Sequence, residues 1–409
     1  MKKKADTDGT KHTALLHQAE TVLFNDRHDH PYHMNDEVYE KLAKYLDKLP
    51  AGFPATDSGV EIRILQRLFT HEQAQLAMYL TLIAEEASVI AYRAGLPVEK
   101  VRQQLEEMDE KGLIFSILHK SGAMKYRIQQ FVVGFWEAQV NRLNPELVDD
   151  FEEYLETFVD LDIWQKIPQL RTIPVGESID RRTDVMPYER AEALVRRQKT
   201  IVVNNCICRQ EMRILGKGCS KPLETCLCFG KAAVRSIRQN RGRAITRSEA
   251  LEILHIAEKA GLVLQTGNAK KALFICTCCG CCCGALRSIK LDPNPASRVS
   301  SPFMVRFNHF TCIRCGVCIE RCQMDALYLV NDEVFHDTNR CIGCGLCIST
   351  CPTNSFSLHR KKKAEQPYVP GTLFETYFRL GRIRGAFSIG DLIILIARSA
   401  MDRLKSNRL

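Results

Sequence analysis

Eight cysteines near the C-terminus repeat one spacing twice, and iron–sulfur chemistry requires such a spacing. Each run reads C-x-x-C-x-x-C-x-x-x-C, and the runs are Cys312, Cys315, Cys318, Cys322 and Cys341, Cys344, Cys347, Cys351. Three thiolates on one loop bind three irons of a cubane, and the fourth iron takes the last cysteine of the other run. The pattern therefore predicts two [4Fe–4S] clusters, one on Cys312, Cys315, Cys318 and Cys351, the other on Cys341, Cys344, Cys347 and Cys322.

Structural zinc is the alternative for these eight positions. Zinc sites favour two C-x-x-C pairs or mixed cysteine and histidine sets. Here each triplet of cysteines is followed by a fourth, and Pro352 comes directly after the last one, as in bacterial cluster-binding runs. The spacing favours clusters, so we expect this region to carry electrons.

Eleven more cysteines lie upstream within 78 residues. They are Cys206, Cys208, Cys219, Cys226, Cys228, Cys276, Cys278, Cys279, Cys281, Cys282 and Cys283. A free cysteine often packs as a small apolar residue, but that role does not explain so many beside two predicted clusters. We expect a further iron–sulfur centre here, with zinc as the alternative and some cysteines left as redox-active thiols. Arg209 and Arg213 follow the first pair, and they stabilise thiolate charge, bind an anionic ligand or are ordinary surface arginines.

Composition and length bound the class of protein. The chain has 409 residues, 45% of them hydrophobic, so we expect roughly two to four globular domains. Its cysteines are confined to residues 206–351, which excludes a small secreted disulfide scaffold and favours a reducing, anoxic cytoplasm. The polar start, Met1–Thr13, predicts no secretory signal. The longest apolar run, Leu392–Ala397, is too short to cross a membrane.

The N-terminal third is predicted to contain a polar segment and a helical domain. Residues 1–57 are expected to be polar and partly disordered, with weak metal binding by His28, His30 and His33 as an alternative role. Residues 58–140 are predicted to be winged-helix-like, with two short strands at the end. The four predicted helices are Ile62–Phe69, His71–Leu82, Ala87–Ala94 and Val98–Lys111.

The last of these helices argues against nucleic-acid binding. Its apolar side is predicted to be Val98, Val101, Leu105 and Met108. Its solvent face is predicted to be acidic on balance, with Glu99, Glu106, Glu107, Asp109 and Glu110 against Lys100, Arg102 and Lys111. Because an acidic face is repelled by phosphate, we expect a docking or scaffolding module instead.

Residues 141–300 are predicted to form a cysteine-rich α/β domain. The strand at 201–203 is expected to deliver Cys206 and Cys208 to a loop. A helix is predicted from Thr246, which with Glu249 fits a capping box, and the strand Ala272–Ile275 leads into the densest group of cysteines.

Residues 361–409 are predicted to be a basic amphipathic tail. From residue 360 onward, eleven Lys and Arg face four Asp and Glu. The apolar members Leu373, Phe374, Tyr377, Phe378 and Leu380 lie among Arg379, Arg382 and Arg384, and an apolar patch follows at Ile389–Ile396. Such a tail contacts a membrane surface or an acidic partner, or packs back on the protein.

Residues 302–360 resemble a di-cluster [4Fe–4S] ferredoxin-type domain, which implies a (βαβ)2 fold over about 301–360. Gln323 departs from the usual pattern, in which proline follows the fourth cysteine. More broadly, the chain is similar to 4Fe–4S binding proteins of anaerobes that have a winged-helix-like N-terminus. The segments that carry this likeness are Tyr126–Phe135, Cys206–Arg209, Cys226–Gly230 and Cys276–Gly284. The resemblance implies an α+β multidomain protein and brings no activity with it.

The sequence therefore predicts a cytoplasmic electron-transfer protein, or the electron-transferring subunit of an enzyme, that serves a redox partner protein. One alternative is an iron–sulfur oxidoreductase with its substrate at the Cys206–Cys283 centre. Another is a redox-sensing transcriptional regulator, which the acidic helix disfavours. The chain lacks the glycine patterns of nucleotide-binding folds, so no nucleotide cofactor is expected.

Overall fold

Helices build the N-terminal third of the protein. The computed structural model describes residues 36–180 and 183–406, so the predictions for His28, His30 and His33 lie outside the described residues. The helices and strands are α1 (Asp36–Asp47), α2 (Val60–Leu68), α3 (His71–Ala77), α4 (Ala87–Ala94), α5 (Val98–Glu110), β1 (Phe115–Leu118), β2 (Met124–Arg127) and α6 (Pro145–Phe158). Strands β1 and β2 pair antiparallel.

Aromatic packing holds this helical unit together. Phe131 contacts the rings of Phe53, Phe135 and Tyr154, with centroids 5.0–5.9 Å apart across the cluster. Trp136 stacks on Phe151 at 3.8 Å. Helix α1 adds Leu42 and Leu46 to the same core, so residues from 36 onward belong to the packed structure.

Two predictions for α5 are wrong. Val98 is 37% exposed rather than buried, because it is the first residue of the helix, where the chain enters from the surface turn at residues 95–97. Asp109 is buried rather than on the solvent face. It accepts hydrogen bonds from Arg235 and Arg238, at 3.4 and 2.7 Å, so the charge of the carboxylate is paired. The rest of the acidic face is exposed as expected.

A six-stranded antiparallel sheet forms the middle of the protein, in the order β3-β7-β8-β5-β4-β6. Its strands are β3 (Leu170–Ile173), β4 (Ile201–Asn205), β5 (Glu224–Phe229), β6 (Gly242–Ile245), β7 (Val263–Gly267) and β8 (Phe274–Cys278). The helices around it are α7 (Leu161–Lys166), α8 (Ala191–Arg196), α9 (Ile207–Ile214), α10 (Gly230–Arg238), α11 (Arg247–Lys259) and α12 (Gly284–Lys290).

The sheet positions most of the upstream cysteines. Cys206 ends the connection after β4 and caps α9, and Cys208 lies inside that helix, so the prediction of a loop at Cys208 is wrong. The amphipathic pattern that begins at Ile207 continues the chain as a helix, because Ile207 packs on the helical core and Met212 packs on the core of the sheet. Thr246 accepts a hydrogen bond from the Glu249 amide at 3.1 Å, as the cap prediction requires.

The two cysteine runs lie between strands of two small sheets. Strand β9 (Phe303–Phe307) pairs with β12 (Phe356–Arg360), and β10 (Leu327–Val330) pairs with β11 (Glu333–His336). The helix α13 (Val317–Arg321) lies between β9 and β10. The region therefore mixes helix and strand, and the (βαβ)2 fold stays a prediction, because no helix lies among the described residues between β11 and β12.

The tail forms two helices, α14 (Leu373–Ile383) and α15 (Ile389–Ser406), that pack on the rest of the protein. The Thr376 hydroxyl donates to the carbonyl of Asn268 at 2.6 Å. On α15, Ser399 donates to Glu85 at 2.7 Å. The other side of α15 leaves Ile394 and Leu404 about two-thirds exposed, and its contact with a membrane or an acidic partner stays a prediction.

No helix within the described part of the chain is both long and apolar enough to span a membrane.

The Asp109 pairing predicts a large effect of a single substitution. Asp109→Ala leaves the buried guanidinium of Arg235 without its carboxylate, and breaking a buried ion pair costs about 3–5 kcal/mol. We expect the free energy of unfolding of the cluster-loaded protein to fall by about that amount in anaerobic urea titrations. Glu99→Ala, in the same helix but exposed, is the control, and its effect should stay within about 0.5 kcal/mol. Equal effects of the two substitutions would contradict the pairing.

Candidate metal centres

One cavity in the ferredoxin-type region is lined by four cysteines from both runs. They are Cys312, Cys315, Cys318 and Cys351, with Ile313, Val334 and Phe356 among the apolar neighbours. This is the set that the crossed ligand pattern assigns to one cluster. Backbone amides point at two of the sulfurs: Arg314 donates to Cys312 at 3.4 Å, and Ser355 donates to Cys351 at 3.3 Å.

The other four cysteines of the two runs also lie together. Burial is the main cause that raises the pKa of Cys341, Cys344 and Cys347, and charge on Cys322 adds to the rise at each of them. For Cys344 the pKa reaches about 12. The thiols are therefore neutral without metal, and iron would bind with release of protons. The amide of Ala326 donates to the Cys322 sulfur at 3.3 Å.

The loop of the second run needs glycine. Gly343 has φ of +69°, and a Cβ there would press on the carbonyl oxygen of Phe303 in β9. This close approach of backbones lets β9 and the ligand loop share one small core. Glycine at position 343 is therefore needed for the packing of this loop against β9.

The eleven upstream cysteines divide into two groups and one outlier. In the first group, the sulfurs of Cys219, Cys279, Cys281 and Cys282 lie within 4.8 Å of one another. The distances are 3.9 Å for Cys219–Cys279, 3.6 Å for Cys219–Cys282 and 3.7 Å for Cys281–Cys282. Cys219 comes from the loop between α9 and β5, and the others come from the turn between β8 and α12. We call this group the four-sulfur group.

The second group is a string of six cysteines in contact, which we call the thiol string. Its members, in order of contact, are Cys206, Cys208, Cys283, Cys278, Cys276 and Cys226. The last two face each other across β5 and β8, with sulfurs 3.8 Å apart. The hydrogen bond from Cys208 lowers the pKa of Cys206 to about 7. Cys228 stands apart, and its sulfur accepts a hydrogen bond from Asn204 at 3.2 Å.

Arg209 lies between the two groups and is fully buried. Its guanidinium donates to the carbonyl of Thr277 at 2.8 Å and to the hydroxyl of Thr225 at 2.6 Å. One nitrogen lies 4.0 Å from the Cys279 sulfur. Burial acts to lower the pKa of Arg209, but charge on Cys206 and Cys279 outweighs it and raises the pKa. Arg209 therefore stabilises thiolate charge, whereas Arg213 lies at the surface.

Gln323 connects the four-sulfur group to a predicted cluster ligand. Its side-chain oxygen accepts the amide hydrogen of Gly280 at 2.8 Å. Gly280 lies between Cys279 and Cys281, and Gln323 directly follows Cys322. A Cβ at Gly280 would collide with the Gln323 carbonyl. Proline is common at this position of ferredoxin-type runs, but its side chain would not make this contact.

Glu211 is a buried group beside the thiol string that the sequence analysis did not identify. Its carboxylate accepts a hydrogen bond from the Trp136 indole at 2.7 Å. The second oxygen has no hydrogen-bond partner within the described ranges. Burial raises the pKa of Glu211 well above its usual value. The sequence feature that could have identified Glu211 is its position one helical turn after Cys208.

Comparison with known proteins bears on the C-terminal region. No curated protein and no solved structure matches the chain. Residues 306–358 match the family model described as a 4Fe-4S dicluster domain, and this range contains all eight cysteines of the two runs. The prediction of a ferredoxin-type iron–sulfur region is thereby confirmed. The protein carries a 4Fe-4S dicluster domain, joined to a cysteine-rich region.

Proposed function

We propose that the protein transfers electrons, as a carrier or as a subunit of a larger enzyme, through two [4Fe–4S] clusters. The observation that supports this most is that Cys312, Cys315 and Cys318 of one run line a cavity with Cys351 of the other. In the same way, charge on Cys322 of the first run reaches the three cysteines of the second, which are Cys341, Cys344 and Cys347. Charge on Cys318 of one group reaches Cys347 of the other. The closeness of the two groups supports rapid electron exchange between the clusters.

The first cluster is the side from which a redox partner exchanges electrons. Cys315 is exposed, and the neighbouring side chains of Phe310 and Ile313 are 87% and 62% exposed. Large apolar side chains at this level of exposure favour contact with a protein partner. The second cluster faces the cysteine-rich region through Gln323. This order fits a path in which electrons pass from the partner through the two clusters to the cysteine-rich region.

A further cysteine-ligated metal centre belongs to the same function. Ten of the eleven upstream cysteines contact another cysteine. The helical unit has a docking role rather than a role in nucleic-acid binding. Exposed Glu106, Glu107 and Glu110 support this, because they lie on the face that a winged-helix-like domain would present to phosphate.

An oxidoreductase with its reaction at the thiol string is the second candidate function. The free oxygen of Glu211 beside Cys208 favours it, since a buried carboxyl group of raised pKa is suited to proton transfer. In that case, Glu211→Gln would abolish proton-coupled substrate reduction and leave the iron content and the potentials of the two clusters unchanged.

Iron analysis of double variants tests the crossed ligand pattern. Cys315→Ser and Cys351→Ser should each remove one cluster, about four irons, although the two cysteines come from different runs. Combining them should remove no more iron than either alone, since both ligate the same cluster. Cys315→Ser combined with Cys322→Ser should remove about eight irons. The reverse pattern, with additive loss for Cys315 and Cys351, would contradict the assignment.

The potential of the first cluster should depend on Thr353. Its hydroxyl lies 3.6 Å from the Cys351 sulfur, and a hydrogen bond to sulfur stabilises the more negative, reduced cluster. Thr353→Val should lower the midpoint potential by about 20–60 mV, the one-electron equivalent of one hydrogen bond. Redox titration followed by electron paramagnetic resonance measures the change. Thr350→Val, in the same cavity lining, is the control, and an equal shift there would contradict the role of Thr353.

A further inference from the structure

The spacing of the four-sulfur group matches one metal ion better than a cluster. Three of the sulfur–sulfur separations in the group are 3.6, 3.7 and 3.9 Å. Sulfurs bound to a tetrahedral zinc ion at about 2.3 Å lie about 3.8 Å apart. The longest separation in the group stays within 4.8 Å, close to the limit of about 4.6 Å that two zinc–sulfur bonds allow. The spread of the four sulfurs is therefore close to that of four thiolates around one tetrahedral ion.

A [4Fe–4S] cluster does not suit this arrangement. In a cubane each thiolate binds a different iron and points away from the centre of the core. The thiolate sulfurs are then held apart by the core and do not approach van der Waals contact. Nor does apolar packing explain the group, because Cys281 is exposed and Cys219 is half-buried. Their convergence with Cys279 and Cys282 is what a common metal ligand would produce.

We propose that Cys219, Cys279, Cys281 and Cys282 bind a single zinc ion with four thiolates. Four protein ligands leave no open coordination position, which is the mark of a structural zinc site. Zinc with four thiolates carries a net charge of −2. The buried guanidinium of Arg209, 4.0 Å from the Cys279 sulfur, offsets part of that charge inside the protein.

The zinc ion would hold the turn that supports the second cluster. Gly280 lies between two of its ligands and donates to Gln323, the residue after Cys322. When the turn is fixed, Gln323 restrains the loop that carries Cys322. Gln323 is then a positioning residue for the second cluster. This consequence rests on the proposed function, whereas the zinc site itself does not.

Metal analysis and X-ray absorption at the zinc edge test the site in the full-length, cluster-loaded protein. We expect one zinc per chain with four sulfur neighbours at about 2.3 Å. Zinc bound through nitrogen or oxygen, or no zinc in protein that holds its clusters, would overturn the proposal. This measurement needs no variant, so a folding defect cannot obscure it. If the proposed function is wrong, the wild-type protein would instead contain no iron and no acid-labile sulfide.

Two serine variants add a second test. Cys281→Ser and Cys219→Ser should each lower the retained zinc at least tenfold in competition with a chelator and leave the iron content unchanged. Cys228→Ser is the matched control, because Cys228 lies outside the four-sulfur group and contacts Asn204. Loss of about four irons and four sulfides in Cys281→Ser would identify a cluster instead. Equal loss of zinc in Cys228→Ser would also overturn the assignment.

The link to the cluster has its own readout. Gln323→Ala should keep the zinc and shorten the lifetime of the second cluster under an iron chelator several-fold, with the first cluster unaffected. Equal lifetimes of the second cluster in variant and wild type would overturn the positioning role of Gln323.

Discussion

The convergence of cysteine sulfurs is the constraint on which the structure depends. Nineteen cysteines lie between residues 206 and 351, and like-charged sulfurs repel one another unless metal, amides or cations neutralise them. The protein supplies two of these means directly. Backbone amides of Arg314, Ser355 and Ala326 donate to sulfurs in the dicluster domain. In the cysteine-rich region, the positive charge of the buried Arg209 offsets the negative charge of nearby thiolates.

The sheet gathers sulfurs from distant parts of the chain. Antiparallel pairing of β5 with β8 places Cys226 opposite Cys276, and the starts of α9 and α12 bring Cys206 and Cys283 to the same string. The adjacent four-sulfur group closes the turn between β8 and α12. Through Gln323 this turn also contacts the loop of a cluster ligand, so the cysteine-rich region and the dicluster domain are mechanically connected.

Local patterns in the sequence predicted what depends on local chemistry. The cysteine runs predicted the iron–sulfur region that the family model matches, and apolar periodicity predicted α4 from Ala87 to Ala94 with its bounds. Strand β5 was not predicted, although Thr225, Leu227 and Phe229 alternate as buried residues, because cysteines occupy the positions between them. Asp109 binds Arg235, which is 126 residues away in the sequence, and Gln323 binds Gly280, which is 43 residues away. Contacts at such separations depend on the fold and leave no periodic signal.

The central claim is that the dicluster domain holds two [4Fe–4S] clusters that exchange electrons. Iron and sulfide analysis of the anaerobically prepared full-length protein, with electron paramagnetic resonance after reduction, tests it most directly. The account predicts at least about eight irons with equal sulfide per chain and a reduced spectrum broadened by coupling between two neighbouring clusters. Zinc in place of iron at the two runs, with no acid-labile sulfide, would contradict it.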